Sequence, residues 1–245
     1  MHNFLEDIIE KKKLDLIEKK KDTGIFRRTL KASKNIGIIA EIKLASPTAG
    51  LLGSEDEILT RAVAYEKAGA DAISFITEKH YFKSDISFIP RIKEKVSLPI
   101  LQKDFVIDEY QIYEAKLMHA DALLLIARLL DTATLQTFVL LCQKVGMEPI
   151  VEITDMQDLA KALETKTNII AVNARDLATF VVDIDKAGDL LKKIPDTFIT
   201  VGFSGIQSNK EVKKYKEAGA DAILVGTELM KAENIEECMK DLRNI

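Results

Sequence analysis

The sequence has few cysteines and prolines, no tryptophan and no long apolar run. Its 245 residues include two cysteines and five prolines. Cys142 and Cys238 lie in separate helix-like segments without the spacing of a metal or redox pair, which indicates reduced, structural thiols. No stretch approaches the roughly 18 consecutive apolar residues of a membrane span. We therefore expect neither a metal site nor an integral membrane protein.

An excess of positive charge is also lacking. The chain carries 35 Lys and Arg against 39 Asp and Glu, a formal net charge of −4. This balance does not indicate a basic face for nucleic acid or an anionic membrane. The first 21 residues are charged throughout and lack the apolar core of a secretory signal. The sequence therefore predicts a cytoplasmic protein that binds neither nucleic acid nor membrane.

The sequence does contain a regular alternation of short apolar runs and longer, charged segments with helical periodicity. The runs are continuously apolar, as expected for a parallel sheet covered on both faces. We predict strands over 36–42, 71–77, 98–105, 121–127, 148–154, 168–174, 198–204 and 221–227, and helices that include 57–70, 156–166 and 209–220. This pattern predicts an α/β fold, a single (β/α)8 TIM barrel over residues 1–245. A doubly wound open sheet is the alternative, although the Gly-rich first turn typical of it is missing.

Three segments repeat Ala-Asp-Ala before a predicted strand: 68–77, 119–127 and 218–227. Their aspartates are 50 and then 100 residues apart (positions 71, 121 and 221), which suits two and four βα units of a barrel. We interpret this repeated sequence as the end of a helix followed by a turn into a strand. Residues 1–30 show an amphipathic pattern and are predicted to form an N-terminal helical extension that caps the barrel.

Charged and polar residues collect at the carboxyl ends of the predicted strands, where barrel enzymes carry their chemistry. Glu41 and Lys43 end the first strand and, being two residues apart, point to the same face. Lys103, Glu152 and Asn173 end the third, fifth and sixth strands. Since an unpaired buried charge is costly, so many strand ends together indicate an active site rather than structural ion pairs at the rim.

The last two strand ends carry glycine beside a hydroxyl residue. Ser204 and Gly205 follow the seventh strand, and Gly226 and Thr227 follow the eighth. Barrels often hold a phosphate group between these two loops, on backbone N–H donors. The pair of motifs therefore predicts a phosphate site.

These residues resemble the signatures of indole-3-glycerol-phosphate synthase, a (β/α)8 barrel family. IIAEIKLASPTAG (38–50) is similar to the family's first-strand signature, and LPILQKDF (98–105) resembles its third-strand motif. Further motifs follow in the family's order: ALLLIARLL (122–130), GMEPIVEI (146–153), NARDLATF (173–180), SGI (204–206) and ILVGTELM (223–230). The resemblance extends from about residue 4 to the C-terminus.

The resemblance implies a carbon–carbon lyase of tryptophan biosynthesis. The family converts 1-(o-carboxyphenylamino)-1-deoxyribulose 5-phosphate into indole-3-glycerol phosphate, with loss of carbon dioxide and water. It implies a small phosphorylated substrate, no metal, no organic cofactor and a monomeric chain.

The resemblance also implies roles for individual residues. Lys103 is the implied general acid that protonates the ribulose carbonyl, and Glu152 is the implied acid–base group of the dehydration. Lys43 would hold the substrate carboxylate or phosphate, while Glu41 and Asn173 would orient the lysines and the sugar hydroxyls. The residues implied to contact the substrate are Arg175, Ser46, Pro47, Ser204, Gly205, Gly226 and Thr227. We expect neighbouring positive charge or burial to lower the pKa of the acid lysine.

Phe203 departs from the family pattern, which has glutamate directly before Ser-Gly-Ile. Alternation along the seventh strand places Phe203 on the site face, so we predict that its ring borders the substrate and alters turnover or ligand choice. Two alternatives stay open. The chain could be an impaired, retuned or engineered phosphate-binding barrel of the same family, or a Schiff-base aldolase that uses Lys103 or Lys43 as its nucleophile.

Overall fold

Eight parallel strands close into a barrel in the computed structural model, which describes residues 24–33 and 35–245. Neighbouring strands follow one another in sequence, and the first strand also pairs with the last. The strands are β1 (Gly37–Ile42), β2 (Ala72–Ile76), β3 (Ile100–Lys103), β4 (Ala122–Ile126), β5 (Glu148–Ile153), β6 (Ile169–Asn173), β7 (Ile199–Phe203) and β8 (Ala222–Val225). The predicted TIM barrel and its eight strands are confirmed, and the open-sheet alternative is wrong.

Helices surround the barrel. They are α1 (Ile25–Ala32), α2 (Glu55–Lys67), α3 (Phe88–Lys93), α4 (Glu109–Leu117), α5 (Thr132–Lys144), α6 (Met156–Leu163), α7 (Ile184–Leu191), α8 (Asn209–Glu217), α9 (Thr227–Lys231) and α10 (Ile235–Arg243). The helices predicted at 57–70, 156–166 and 209–220 form as α2, α6 and α8. Each ends about three residues early, because the last predicted residues make the turn into the next strand. No helix in the described ranges is long and apolar enough to cross a membrane.

Side chains alternate along each strand between the barrel interior and the helical layer. Ile39 belongs to the interior cluster, whereas its neighbours Ile38 and Ala40 pack outward against the helices. Both faces of strand β1 are fully buried, which explains why its sequence is continuously apolar up to Glu41. The alternation also fixes which residues at the strand ends point inward.

Helix α1 closes the N-terminal end of the barrel. Phe26 and Leu30 join the interior cluster, and the Arg27 amide donates to the Glu148 carboxylate at 3.0 Å, at the start of β5. The opposite end, where the strands finish, is therefore the open one. Residues 1–23 lie outside the described residues, so the capping role predicted for 1–30 and the single domain over 1–245 stay predictions for that part.

The repeated aspartates tie the N-terminal ends of neighbouring strands together. Asp71, Asp121 and Asp221 each accept the backbone N–H of a residue in the preceding strand, at 2.7 to 2.8 Å. Each also donates its own backbone N–H to the carbonyl of that same residue, at 2.9 to 3.0 Å. The interpretation of the repeat as structural is therefore supported by its bonding, and these carboxylates lie at the end of the barrel opposite the candidate site.

The three repeats differ at the residue that ends the preceding helix. Gly69 and Gly219 have φ of +83° and +94°, and His119 occupies the equivalent place with φ of +64°. A left-handed backbone costs a residue with a Cβ roughly 1–2 kcal/mol. His119 therefore carries a conformational cost that glycine avoids at the other two sites.

We expect His119→Gly to stabilise the fold by about 0.5–1 kcal/mol, because glycine removes the left-handed penalty but loses more entropy on folding. The matched reverse change, Gly219→Ala, should destabilise by about 1 kcal/mol. A Cβ at Gly219 meets no atom within 4 Å, so only backbone conformation changes. Urea unfolding measures both, and a less stable His119→Gly protein would contradict the explanation.

Candidate active site

The candidate site is built from the last inward-facing residue of several strands. Along β1, Glu41 follows inward Ile39, and the same two-residue step places Lys103 on β3, Glu152 on β5 and Asn173 on β6. Polar groups thus replace apolar ones only where the interior opens toward the carboxyl ends. The strand period that fills the core also aims these side chains at one place.

The carboxylate of Glu41 lies between two lysine ammonium groups. Its Oε1 accepts a hydrogen bond from Lys43 Nζ at 2.8 Å, and its Oε2 is 3.5 Å from Lys103 Nζ. Glu41 is buried, while the Lys103 side chain keeps 22% of its exposure. Gly226 leaves room for this arrangement, because a Cβ there would lie 2.3 Å from Glu41 Oε1 and 2.9 Å from Lys43 Nζ. The cluster therefore joins β1, β3 and the end of β8.

The charges in this cluster shift the pKa values of Glu41 and Lys103. Burial raises the pKa of Glu41, but the charges of Lys43 and Lys103 and the hydrogen bond from Lys43 outweigh it and hold the pKa below its ordinary value. Burial lowers the pKa of Lys103, yet the charges of Glu41 and Glu152 outweigh burial and raise it. The expectation of a lowered lysine pKa is wrong, because two carboxylates face this ammonium group. Lys103 is therefore a protonated donor at neutral pH.

Glu152 has a different environment from Glu41. It is buried, its pKa is raised by that burial, and the charge of Lys103 and the hydrogen bond from Asn173 only partly offset the increase. Asn173 Nδ2 donates to Glu152 Oε1 at 3.1 Å. A carboxyl group with a raised pKa is suited to taking up and releasing a proton. The site thus holds one strongly ionised carboxylate and one that is easier to protonate.

Phe203 forms an apolar wall beside the charged residues. It is the last residue of β7, only 1% of it is exposed, and it belongs to the interior cluster. Its strand neighbours are Asn173 on β6 and Leu224 on β8. Lys103 Nζ lies 5.9 Å from the ring centroid, within the range of a cation–π contact. The inward orientation expected for Phe203 is found, and its effect on substrate stays a prediction.

The loops after β7 and β8 each require glycine, because a Cβ at Gly205 or Gly226 would lie within 3 Å of neighbouring side chains. Ser204 and Gly205 both adopt left-handed backbone, with φ of +70° and +81°. Gly226 precedes the short helix α9, whose first residue is Thr227. Because Gly226 also borders the Glu41–Lys43 pair, the β8 loop lies next to the charged cluster. The phosphate role of these four residues stays a prediction.

Three other predicted site residues engage their own loops. The Arg175 guanidinium donates to the Phe180 carbonyl at 3.0 Å, and the Arg175 amide donates to Asn173 Oδ1 at the same distance. Ser46 Oγ accepts the amide of Ala49, within the hairpin formed by Ala45–Ser46 and Gly50–Leu51. Pro47, at the tip of that hairpin, is exposed. These residues lie at the rim, and their predicted contacts with substrate stay predictions.

The sequence did not single out Ser74, which lies beside the site. Ser74 on β2 is paired in register with Glu41, and its hydroxyl is buried without a hydrogen-bond partner among the described residues. A serine inside an apolar strand was the only available signal for it. Arg128, which follows β4, donates to the carboxylates of Asp155 and Asp176 in two other loops, at 2.7 and 3.4 Å. Arg128 therefore forms ion pairs at the rim.

No group of three or more His, Cys, Asp or Glu residues is arranged to bind a metal within residues 24–33 and 35–245. The described residues of the site are instead suited to proton transfer and anion binding. The cluster supplies two ammonium groups, a carboxyl group with a raised pKa and glycine-lined turns. Such a set can protonate a carbonyl oxygen, move a second proton and hold a phosphorylated ligand.

We expect Glu41→Gln to lower the pKa of Lys103, because Glu41 makes the largest favourable contribution to its protonated form. An NMR titration of the lysine side chains measures this shift. Asp85→Asn is the matched control, since Asp85 also pairs with a lysine, Lys79 at 3.1 Å, but on the exposed surface. An unchanged Lys103 titration in Glu41→Gln would contradict the proposed balance of charges.

Comparison with known sequences gives one consistent family. The family model described as indole-3-glycerol phosphate synthase matches residues 5–242. Indole-3-glycerol phosphate synthase of Acetivibrio thermocellus is 37% identical, with 99% of this chain and 100% of the relative covered. The enzyme of that name from Thermoanaerobacter pseudethanolicus is 41% identical, with 93% of this chain and 92% of the relative covered.

Solved structures with little sequence similarity share the fold. A 3-hexulose-6-phosphate synthase superimposes with a TM-score of 0.67 at 15% identity, covering 85% of this chain and 98% of the other. An N-acetylmannosamine-6-phosphate 2-epimerase from Clostridium perfringens gives a TM-score of 0.63 at 16% identity, with coverage of 84% and 93%. At this level of identity the similarity establishes the barrel and nothing about the reaction.

Proposed function

The chain belongs to the indole-3-glycerol phosphate synthase family of decarboxylating lyases in tryptophan biosynthesis, and we propose how its strand-end residues perform that reaction. The observation that carries the proposal is the buried cluster in which Glu41 lies between Lys43 and Lys103. The substrate is 1-(o-carboxyphenylamino)-1-deoxyribulose 5-phosphate, and the products are indole-3-glycerol phosphate, carbon dioxide and water.

The first half of the reaction is ring closure with decarboxylation. The aromatic carbon that bears the carboxylate attacks the ribulose carbonyl carbon, and a new carbon–carbon bond forms. The bond between that ring carbon and its carboxylate breaks, and carbon dioxide leaves. Negative charge develops on the carbonyl oxygen, which must gain a proton to become a hydroxyl. Lys103 is the proposed donor, because its raised pKa keeps it protonated and its side chain remains partly exposed. The same protonation disfavours a Schiff-base role, which needs a neutral amine.

The second half of the reaction forms the indole ring by loss of one water, made from the new hydroxyl group and a proton of the neighbouring carbon. Glu152 is the proposed acid–base group, because burial raises its pKa and Asn173 fixes one of its oxygens. Lys43 is proposed to hold a substrate anion, and Glu41 orients both lysines. Ser204, Gly205, Gly226 and Thr227 are proposed to bind the phosphate, with Arg175, Ser46 and Pro47 at the rim. We further propose a cytoplasmic monomer; light scattering measures its oligomeric state.

The two halves can be separated by mutation. We expect Lys103→Met to reduce both carbon dioxide release and formation of fluorescent indole product by about 100-fold or more. Glu152→Gln should reduce indole formation by a similar factor while a single turnover still releases carbon dioxide.

In the unmodified enzyme, dehydration should slow as the pH falls through the raised pKa of Glu152, because the ionised base is lost below it.

The control for these variants is Lys93→Met. Lys93 pairs with Asp121 at 2.7 Å, but at the N-terminal end of the barrel. This variant should keep its turnover at temperatures where it is folded. Unchanged indole formation in Lys103→Met would overturn the assignment of the general acid.

Phe203 is the observation that favours the second candidate function, a retuned phosphate-binding barrel of the same family. The ring occupies the interior wall beside Lys103, where the family pattern has a carboxylate. If the chain is a synthase slowed by this residue, restoring the charge should restore a charged hydrogen bond to substrate or lysine. If the pocket is adapted to another ligand, restoring it should not help the synthase reaction.

We expect Phe203→Glu to raise the synthase rate by roughly tenfold or more, the value of one hydrogen bond to a charged group. Phe203→Leu is the matched control, since it removes the ring without adding charge. A rise in Phe203→Leu alone would mean that the ring only obstructs the site. An unchanged or lower rate in Phe203→Glu would favour the retuned barrel.

A further inference from the structure

Tyr215 on α8 contacts the turn that follows β7. Its hydroxyl lies 2.9 Å from the carbonyl oxygen of Phe203 and 2.9 Å from that of Ser204. The tyrosine is fully buried. Gly202 makes this approach possible, because a Cβ at that position would lie 2.3 Å from Cδ1 of the ring. The helix can therefore deliver a hydroxyl donor to the back of the turn.

The Tyr215 hydroxyl shares its one proton between two carbonyls, and the orientation of those carbonyls determines where two amide groups point. In a trans peptide the C=O and the following N–H point in opposite directions, and the described residues contain no cis peptide. The Phe203 carbonyl shares its peptide with the Ser204 amide, and the Ser204 carbonyl shares its peptide with the Gly205 amide. The Phe203 carbonyl accepts both the Tyr215 hydroxyl and the Ala174 amide, so the Ser204 N–H points away from both. The Ser204 carbonyl accepts the Tyr215 hydroxyl, so the Gly205 N–H points away from the helix.

This turn needs external restraint. Ser204 has a Cβ and yet adopts φ of +70°, a conformation that residues other than glycine disfavour. On the other side Gly205 is confined, because a Cβ there would lie 2.8 Å from carbons of both Val182 and Ile184. Tyr215 restrains the turn from the opposite side, through the contacts of its hydroxyl with two backbone carbonyls. Burial raises the pKa of its hydroxyl, so the hydroxyl remains a donor across the neutral range.

We propose that Tyr215 is a positioning residue that fixes the Ser204–Gly205 turn with its amide donors directed at the substrate phosphate. This inference rests on the phosphate site proposed above. Tyr215 touches no substrate itself. It raises phosphate affinity by keeping the binding-competent turn populated before the ligand arrives.

The test is Tyr215→Phe, which keeps the ring packed on Gly202 and removes only the hydroxyl. We expect the Kd of inorganic phosphate, and the KM of the phosphorylated substrate, to rise by roughly 3- to 10-fold, as for one neutral hydrogen bond. At saturating substrate kcat should stay within about twofold, because bound phosphate restores the turn. With the substrate lacking its phosphate group, the two proteins should have equal kcat/KM.

Thr167→Val is the matched control. Thr167 is buried, and its hydroxyl also contacts two backbone carbonyls, those of Pro149 and Ile169 at 2.9 and 3.0 Å, at the N-terminal end of the barrel. The Thr167→Val protein should lose thermal stability without a change in its Kd for phosphate. If Tyr215→Phe behaves in the same way, the inference is wrong. If the unmodified protein binds phosphate but forms no indole, the proposed function fails and the phosphate Kd of Tyr215→Phe still decides the inference.

Discussion

The buried carboxylate of Glu41 is the constraint around which the open end of this barrel is arranged. A charge inside a barrel must be paired, and here one carboxylate contacts ammonium groups on the loop after β1 and on β3. The pairing keeps two like charges close together at the barrel mouth. It also requires Gly226, since no side chain fits beside the pair. One ion cluster thereby links Lys103, the proposed general acid, to the proposed phosphate loop.

The site separates the roles of two carboxyl groups by their surroundings. Glu41 and Glu152 are both buried glutamates on inward strand positions, yet their pKa values move in opposite directions. Two ammonium groups face Glu41, whereas Glu152 has an amide partner and only the more distant charge of Lys103. Glu41 consequently remains an anion that holds lysines, and Glu152 is left as the group that can exchange a proton. The apolar interior beneath them supplies the burial on which the difference depends.

Structural features that follow from the repeat of apolar residues along the chain were predictable from the sequence. Continuous apolar runs located all eight strands, and the two-residue step placed Glu41 and Lys43 on one face. The direction of the pKa shift of Lys103 was not predictable, because it depends on the distances from the ammonium group to carboxylates on two other strands. Nor was the partner of Ser46, whose hydroxyl is taken by its own hairpin. Tyr215 was hidden for a further reason: in an amphipathic helix a buried tyrosine is indistinguishable from an ordinary core residue.

The end of β7 shows how the site can change one component and keep another. The side chain of Phe203 points inward, where it covers part of the wall beside Lys103. Its carbonyl is bound outside that wall, by the Ala174 amide and the Tyr215 hydroxyl, both at 2.9 Å. The turn at Ser204 is therefore held through the Phe203 carbonyl, by contacts that do not involve the Phe203 ring. A substitution at this position can therefore change the wall beside Lys103 while the turn at Ser204 keeps its shape.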